Sequence, residues 1–298
     1  MKKKVLVIGG SGFIGSHTAD QLSKNGYEVK IFDKNPSKWI TDDQEMILGD
    51  FLDKDSIIKA LEGVSHIYHF GAIADIGESK KKPLQTIELN ILGITYLLEA
   101  MRESSSANRL MYASTAYVYS NHGSFYRVSK QAAESIIEEY SKEFDINFTF
   151  LRYGSLYGPR SQFWNGIKKF IKQINETGTL EYAGSGKEIR EYINVEDAAR
   201  IGVDLLDDKY INQALMITGQ QVMRADDLFE MIFEILDKKL DVNYLKSSSQ
   251  GDHYGNTPYR YTPKNARKIV PSEFIDLGQG LLDVIQEVNS EEEHNENK

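Results

Sequence analysis

The sequence predicts an α/β protein, a doubly wound parallel sheet with a smaller C-terminal substrate-binding lobe. Three observations carry that reading. Short β-branched apolar runs alternate with helix-length segments through the first half, a glycine-rich turn follows the first run, and beyond Gly154 the rhythm loosens into glycine- and proline-punctuated chain. Strands separated by helical segments argue for βαβ units, whose right-handed crossovers place helices on both faces of one sheet.

Taken in order, residues 5–8 read as a buried strand that meets glycines and then an amphipathic helix reaching Asn25. Residues 28–32 form the next strand, with Val29 and Ile31 β-branched, and the theme repeats at 46–48, 67–70, 110–113 and 148–151. Helices are predicted at 56–61, 84–103 and 129–142, then at 167–174 and 226–236 in the looser half. The organisation that follows is a parallel-sheet domain of residues 1–153 plus roughly 193–218, and the smaller lobe of 154–192 and 219–285. Residues 286–298 are read as a disordered tail, because the last eight carry four glutamates, two asparagines and no apolar side chain.

Composition narrows the function classes. With 298 residues, 41% of them hydrophobic and 27% charged, the chain is long and apolar enough to bury a core. The absence of cysteine excludes disulfides, thiolate metal sites and a thiol nucleophile. A net charge of −9 argues against a nucleic-acid partner. No stretch approaches the ~20 apolar residues of a membrane span, so a cytoplasmic protein with no membrane partner is expected. His66, His69, His253 and His294 lack metal-ligand spacing, and no metal is predicted; His17 is read as a packing or surface residue of the first helix.

Gly9-Gly10-Ser11-Gly12-Phe13-Ile14-Gly15 holds a G-x-x-G-x-x-G pattern directly between a strand and a helix. A strand-to-helix turn without side chains lets backbone N–H groups approach a pyrophosphate at the positive end of the helix. The acid such a site needs is Asp33, at the end of the second strand and eighteen residues beyond the last glycine. A carboxylate there accepts bonds from the adenosine ribose hydroxyls and repels a 2′-phosphate, which favours NAD over NADP, although Lys34 and Lys38 soften the preference.

Tyr126 and Lys130 stand i, i+4 on one helix face. A phenol with an ordinary pKa near 10 is a poor base, and a neighbouring ammonium brings the phenolate into working range. Ser114-Thr115 lie just past the strand ending at Ala113, where a parallel sheet places its ligands. A hydroxyl there holds the substrate oxygen while the tyrosine removes its proton.

These residues carry a family resemblance over Val5 to about Leu282. The chain resembles the extended short-chain dehydrogenases/reductases of the nucleotide-sugar epimerase/dehydratase group, enzymes on a Rossmann-type sheet, and UDP-glucose 4-epimerases especially. The resemblance implies NAD as cofactor, with Gly9, Gly12 and Gly15 in the cofactor turn, Phe13 and Ile14 between them, and Asp50-Phe51 against adenine. His69-Phe70-Gly71-Ala72, Gly77-Glu78-Ser79, Lys82-Pro83-Leu84 and Asn90 follow the same pattern, which makes Phe70, Gly71, Ala72 and Asn90 cofactor residues, joined by Tyr153 of Leu151-Arg152-Tyr153. Thr115, Tyr126 and Lys130 match the catalytic set. Ser114, Ser155, Arg190, Tyr192 and Asp252 are the implied substrate contacts, with Arg190 gripping the nucleotide diphosphate. The helices that face the sheet in residues 89–101 and 132–140 form the dimer interface in relatives, so a homodimer is expected.

The departures narrow the reaction. The acid pair that follows the threonine in 4,6-dehydratases, and the glutamate that decarboxylases carry there, are replaced by Ala116 and Tyr117. The cysteine of 3,5-epimerase/reductases is missing. An asparagine becomes Ser155, a lysine of 4-epimerases becomes Ala74, and the eleven positions from Thr115 to Tyr126 are about half the family's span, which requires a tight turn at Ser120-Asn121-His122-Gly123 and a more open site. What survives is reversible oxidation at one sugar carbon. The expected function is 4-epimerisation of a nucleotide-diphosphate sugar through a 4-keto intermediate. The alternatives are a dehydrogenase that releases the 4-keto sugar (a GDP-linked heptose or hexose, for example) and a non-catalytic NAD sensor.

Overall fold

The computed structural model describes residues 3–245, 266–269 and 272–296. Six strands of the first half form as the apolar runs dictate: β1 (Lys4–Ile8), β2 (Glu28–Asp33), β3 (Gln44–Leu48), β4 (His66–His69), β5 (Arg109–Thr115) and β6 (Asn147–Tyr153). Between them run α1 (Phe13–Lys24), α2 (Lys54–Ala60), α3 (Ile76–Lys81), α4 (Pro83–Ile87), α5 (Gly93–Glu103) and α6 (Ser124–Phe144). The second half supplies β7 (Ser155–Tyr157), α7 (Gly166–Thr177), β8 (Leu180–Tyr182), β9 (Ile189–Asn194), α8 (Val195–Asp204), β10 (Gln213–Ile217) and β11 (Val222–Arg224). It ends with α9 (Ala225–Ile235), β12 (Val242–Tyr244), β13 (Ala266–Lys268) and α10 (Leu277–Glu296).

The main sheet has eight strands in the order β13-β10-β6-β5-β4-β1-β2-β3, every neighbouring pair parallel. The order reverses direction between β1 and β4, and the crevice at such a switch point is where open parallel sheets bind ligands. Two apolar layers cover it. One packs Ile57, Leu97, Leu98, Met101 and Ile137 of α2, α5 and α6 against Leu6, Ile8, Leu110 and Phe150. The other packs Ala19, Leu22, Ala198 and Ile201 of α1 and α8 against Val5, Val7, Met111 and Leu151. A third cluster lies beneath the lobe, where α7, α9 and α10 bury Ile171, Phe229 and Leu281. Small sheets β11-β9-β7 and β12-β8 complete that lobe.

Three sequence expectations are corrected. The helix predicted at 84–103 is interrupted by a π-helical turn at Glu88–Leu92, a distortion that re-aims single side chains. Residues Ala266–Lys268, expected in the lobe, return to the edge of the main sheet beside β10. The expected disordered tail is helix α10 through Glu296. Val284, Ile285 and Val288 are buried in the lobe, Glu287 accepts the Arg160 N–H at 2.6 Å, and Glu291 meets the Lys168 ammonium at 3.0 Å. An acidic composition conceals those apolar positions because they recur at helical spacing. Among the described residues no helix is long and apolar enough to cross a membrane.

Candidate active site

The turn from β1 to α1 is a surface without side chains. Gly9 adopts φ +78°, and a Cβ there would stand 2.7 Å from the Gly71 nitrogen, so the turn and the loop after β4 touch backbone to backbone. A Cβ on Gly15 would lie 2.2 Å from the Gly9 carbonyl oxygen. Gly12 caps α1 with no side-chain acceptor and the first turn holds no acid, so the N–H groups of Phe13, Ile14 and Gly15 face a cradle shaped for an anion. Asp33 closes one side. Its Oδ2 accepts the Ser11 N–H at 3.2 Å and its Oδ1 that of Asn35 at 3.0 Å, which fixes the carboxylate beside the turn with lone pairs left for ribose hydroxyls. These residues fit a dinucleotide.

The flank is built from Asp50, Phe51 and the loop after β4. Asp50 Oδ1 accepts the Leu52 N–H at 3.0 Å. The Phe51 ring is wedged between Gly71 and Gly93, where an added Cβ would come within 2.8 and 2.4 Å of it. Phe70 stacks on Tyr68 and, with Gly71 and Ala72, leads to Ile73. Asn90, in the π-turn, is buried; its Oδ1 accepts the Ile73 N–H at 2.9 Å while its Nδ2 donates to the Ile73 carbonyl at 3.0 Å and to Ser129 Oγ at 2.9 Å. Ser129 Oγ in turn donates to the Tyr126 carbonyl at 2.9 Å. Asn90 therefore braces the loop against α6, with its amide committed to protein partners. Tyr153 also differs from expectation. Its ring lies in the core and its hydroxyl faces Gly202 of α8 without a hydrogen-bond partner, because the alternation of β6 sends it to that face of the sheet.

At the N-terminal half of α6 the surface is made of side chains. Residues 116–119 form a 3₁₀ turn capped by Thr115, whose Oγ1 accepts the Tyr117 N–H at 3.2 Å. That turn is tied to α6 by Gln131 Nε2 on the Val118 carbonyl at 2.9 Å and by Arg127 on the Ser120 carbonyl at 3.1 Å. Gly123, at φ +101° under the Tyr117 ring, closes the short connection as tightly as its length requires. The ring of Tyr117 meets that of Tyr126 edge-on, centroids 6.3 Å apart, which brings the strand end carrying Thr115 beside the tyrosine. One turn on, Lys130 is buried. Its Nζ donates to the Ala113 carbonyl at 2.7 Å and stands 4.6 Å from the Tyr112 ring centre. Burial pulls the ammonium down to about 7 while the Glu134 carboxylate opposes the fall.

Ser114, expected to touch substrate, instead donates to Glu134 Oε1 at 2.5 Å, since its neighbour Thr115 takes the opposite side of the strand. Glu134 is gripped by Arg152, Nε to Oε1 at 2.9 Å and Nη2 to Oε2 at 2.6 Å, and Arg152 also reaches the Tyr119 hydroxyl. Sequence reading passed over Glu134; its signal is the i, i+4 spacing from Lys130. Across the cleft, parallel pairing sets Ser155 beside Tyr192, and the two-residue period puts Arg190 on the Tyr192 face of β9. The intervening Glu191 turns inward to Thr218 Oγ1 at 2.8 Å. Asp252 lies outside the described residues.

The family model described as the NAD dependent epimerase/dehydratase family matches residues 5–214. A UDP-N-acetyl-alpha-D-glucosaminuronate decarboxylase of Bacillus cytotoxicus is 27% identical over 262 residues, 79% of this chain and 81% of the relative. A putative UDP-glucose 4-epimerase of Methanocaldococcus jannaschii is 29% identical over 301 residues, 94% of this chain and 97% of the relative. The crystal structure of UDP-glucuronic acid 4-epimerase from Bacillus cereus, in complex with UDP-glucuronic acid and NAD, superposes with a TM-score of 0.83 at 26% identity, covering 96% of this chain and 99% of that one. A glycine cradle that excludes side chains and a tyrosine–lysine pair at the carboxyl end of a parallel sheet thus coincide with a family match over most of the sequence: the chain is an enzyme with NAD as its cofactor, and it belongs to the NAD-dependent epimerase/dehydratase family.

Proposed function

We propose that this enzyme epimerises a UDP-linked sugar at C4 through a 4-keto intermediate. The observation that carries the reading is the buried Lys130 one turn from Tyr126, beside Thr115, with Ala116 and Tyr117 where dehydration or decarboxylation machinery would need a carboxyl. The names of the compared proteins, UDP-sugar 4-epimerases among them, support the substrate class.

In this reading Gly9, Gly12, Phe13, Ile14 and Gly15 hold the pyrophosphate, Asp33 the adenosine ribose, Asp50 and Phe51 the adenine side, and Phe70 to Ala72 the wall behind. NAD, when bound, supplies the hydride acceptor and donor. Tyr126 takes the proton of the sugar 4-hydroxyl, and the positive charge of Lys130 favours the phenolate that does so. Thr115, whose oxygen accepts from backbone, is left with its own O–H to donate to the reacting oxygen. Arg190, Tyr192 and Ser155 hold the diphosphate end while the keto sugar presents its other face. Tyr126 then returns the proton.

Replacing Tyr126 by Phe is expected to lower turnover of UDP-sugars by more than about 100-fold while NAD still binds; the check is product chromatography alongside NAD titration. Undiminished turnover would remove the proposed base. Absorbance of reduced cofactor separates the runner-up: an epimerase shows no net reduction, whereas a dehydrogenase that releases the 4-keto sugar accumulates NADH with product.

A homodimer fits the same fold. Leu84 (69% exposed) and Ile87 of α4, Tyr96 of α5, and Phe125 and Val128 (47%) of α6 leave apolar side chains exposed on three adjoining helices. Sedimentation velocity of the full chain measures this.

A further inference from the structure

Glu134 is a buried carboxylate for which the proposed proton transfer has no direct use. It lies one turn past Lys130, i, i+4 on the same helix, so the two side chains share a face. Three hydrogen bonds fix its orientation: Ser114 Oγ at 2.5 Å, and Arg152 through Nε at 2.9 Å and Nη2 at 2.6 Å. Glu134 and Arg152 are almost fully buried, at 8% and 9% side-chain exposure, so the charges act through protein rather than water. A buried pair of this kind contributes little net stability compared with apolar replacements. Its placement between the Lys130 face of α6 and the strand end carrying Thr115 points to the site.

Among the described residues, Glu134 is the carboxylate whose charge acts on Lys130. Facing the ammonium are neutral His69 at the end of β4, the Tyr112 ring on β5 and Glu134 on its own helix, with Tyr126 one turn back on that helix; Arg152 on β6 and Tyr119 stand behind Glu134. The direct hydrogen bond of Lys130 Nζ goes to an uncharged carbonyl, that of Ala113.

We propose that Glu134 is a positioning residue that acts through Lys130: its carboxylate, aimed by Arg152 and Ser114, is the counter-charge that keeps a buried ammonium available beside Tyr126. The bidentate grip of Arg152 holds the carboxylate in one orientation, unable to rotate toward solvent. The role rests on the reading of Tyr126 and Lys130 as the working pair.

The test follows the titration of Lys130 in the full-length protein with NAD bound, using lysine labelled with ¹³C at Cε and the Lys130 signal assigned by its loss in Lys130→Arg. In Glu134→Gln the midpoint is expected to fall by a pH unit or more, and in Glu134→Asp to stay near that of the wild type. If Glu134→Gln alone does not fold, because Arg152 is left unpaired, Glu134→Gln/Arg152→Met is compared with Arg152→Met, where the Glu134 charge is the one difference, and the midpoint is expected to be lower in the double variant. An unchanged Lys130 midpoint, in Glu134→Gln against the wild type or in the double variant against Arg152→Met, overturns the proposal. The titration needs no sugar, so a protein that turns over no UDP-sugar defeats the reading of the reaction and leaves this measurement decisive on its own terms.

Discussion

At the turn between β1 and α1 the working surface is backbone, and its shape follows from side chains that are missing. At the N-terminal half of α6 the working surface is side chain, and its chemistry follows from charges held out of water. The first region tolerates almost no added atom: a methyl on Gly15 would overlap the Gly9 carbonyl. The second tolerates change only in matched pairs, since removing one of two buried opposite charges leaves the other uncompensated. Sterics thus protect the glycine turn and electrostatics the buried charges of α6.

The sharpest way to break this contrast is Gly15→Ala. With its Cβ 2.2 Å from a backbone oxygen that cannot swing aside, the substitution is expected to weaken NAD binding by more than about 100-fold or to destabilise the fold by about 3 kcal/mol or more. Calorimetric NAD titration paired with urea unfolding reads both. Near-native binding would mean that the cradle is more plastic than its contacts imply.

At the other end, Arg152→Met is expected to cost about 3–5 kcal/mol by leaving Glu134 buried without its partner, with Glu134→Gln/Arg152→Met recovering most of the loss. Urea midpoints of the two single variants and the double variant measure the coupling. Additive losses would show that the pair is not the buried electrostatic unit described.

The smallest effect concerns two buried histidines, one in each region. His17 on α1 bonds the Pro159 carbonyl at 3.0 Å and burial holds it at about 4, while His69 packs between Phe51 and Tyr112 and burial holds it at about 3. In the unfolded chain both titrate near 6.5. Below that value the unfolded chain binds more protons than the folded one, so stability falls as the pH drops from about 6.5 toward 3–4. Replacing His69 by Leu is expected to flatten that loss by up to about 1.4 kcal/mol per pH unit, one proton's worth. The His17→Gln variant gives the matching number for the cradle side. Unfolding midpoints at pH 6.5 and pH 5 compare them.

How much of this was legible differs between the same two regions. The shape of the turn was readable because a strand, a turn and a helix N-terminus suffice to place Gly9, Gly12, Gly15 and Asp33 together. Tyr126 and Lys130 were readable for the same reason, being one helical turn apart. Ser114 was misassigned to substrate because a strand end looks the same in sequence whether its hydroxyl faces a cleft or a buried carboxylate. Tyr153 was misplaced because the face a strand residue takes depends on which helices cover the sheet. Asn90 is expected beside the cofactor, but its work as a brace depends on Ile73 and Ser129, which are seventeen and thirty-nine positions away. The tail was misread because what anchors residues 286–298 is one buried apolar side chain, Val288, and the contacts of Glu287 and Glu291 with Arg160 and Lys168, all of them distant in sequence.

By itself the sequence determined the alternation of strands and helices, the glycine turn with its acid, and the tyrosine–lysine spacing, because each depends on steric and periodic rules acting over a few residues. The tertiary structure alone decided which partners the charges meet inside the protein: Glu134 with Arg152 and Ser114, Lys130 with the Tyr112 ring, Glu287 with the Arg160 backbone N–H and Glu291 with Lys168. The physical reason is range. Chain sterics end within a turn or two, whereas the energy of a buried charge depends on every element packed around it, however distant in sequence.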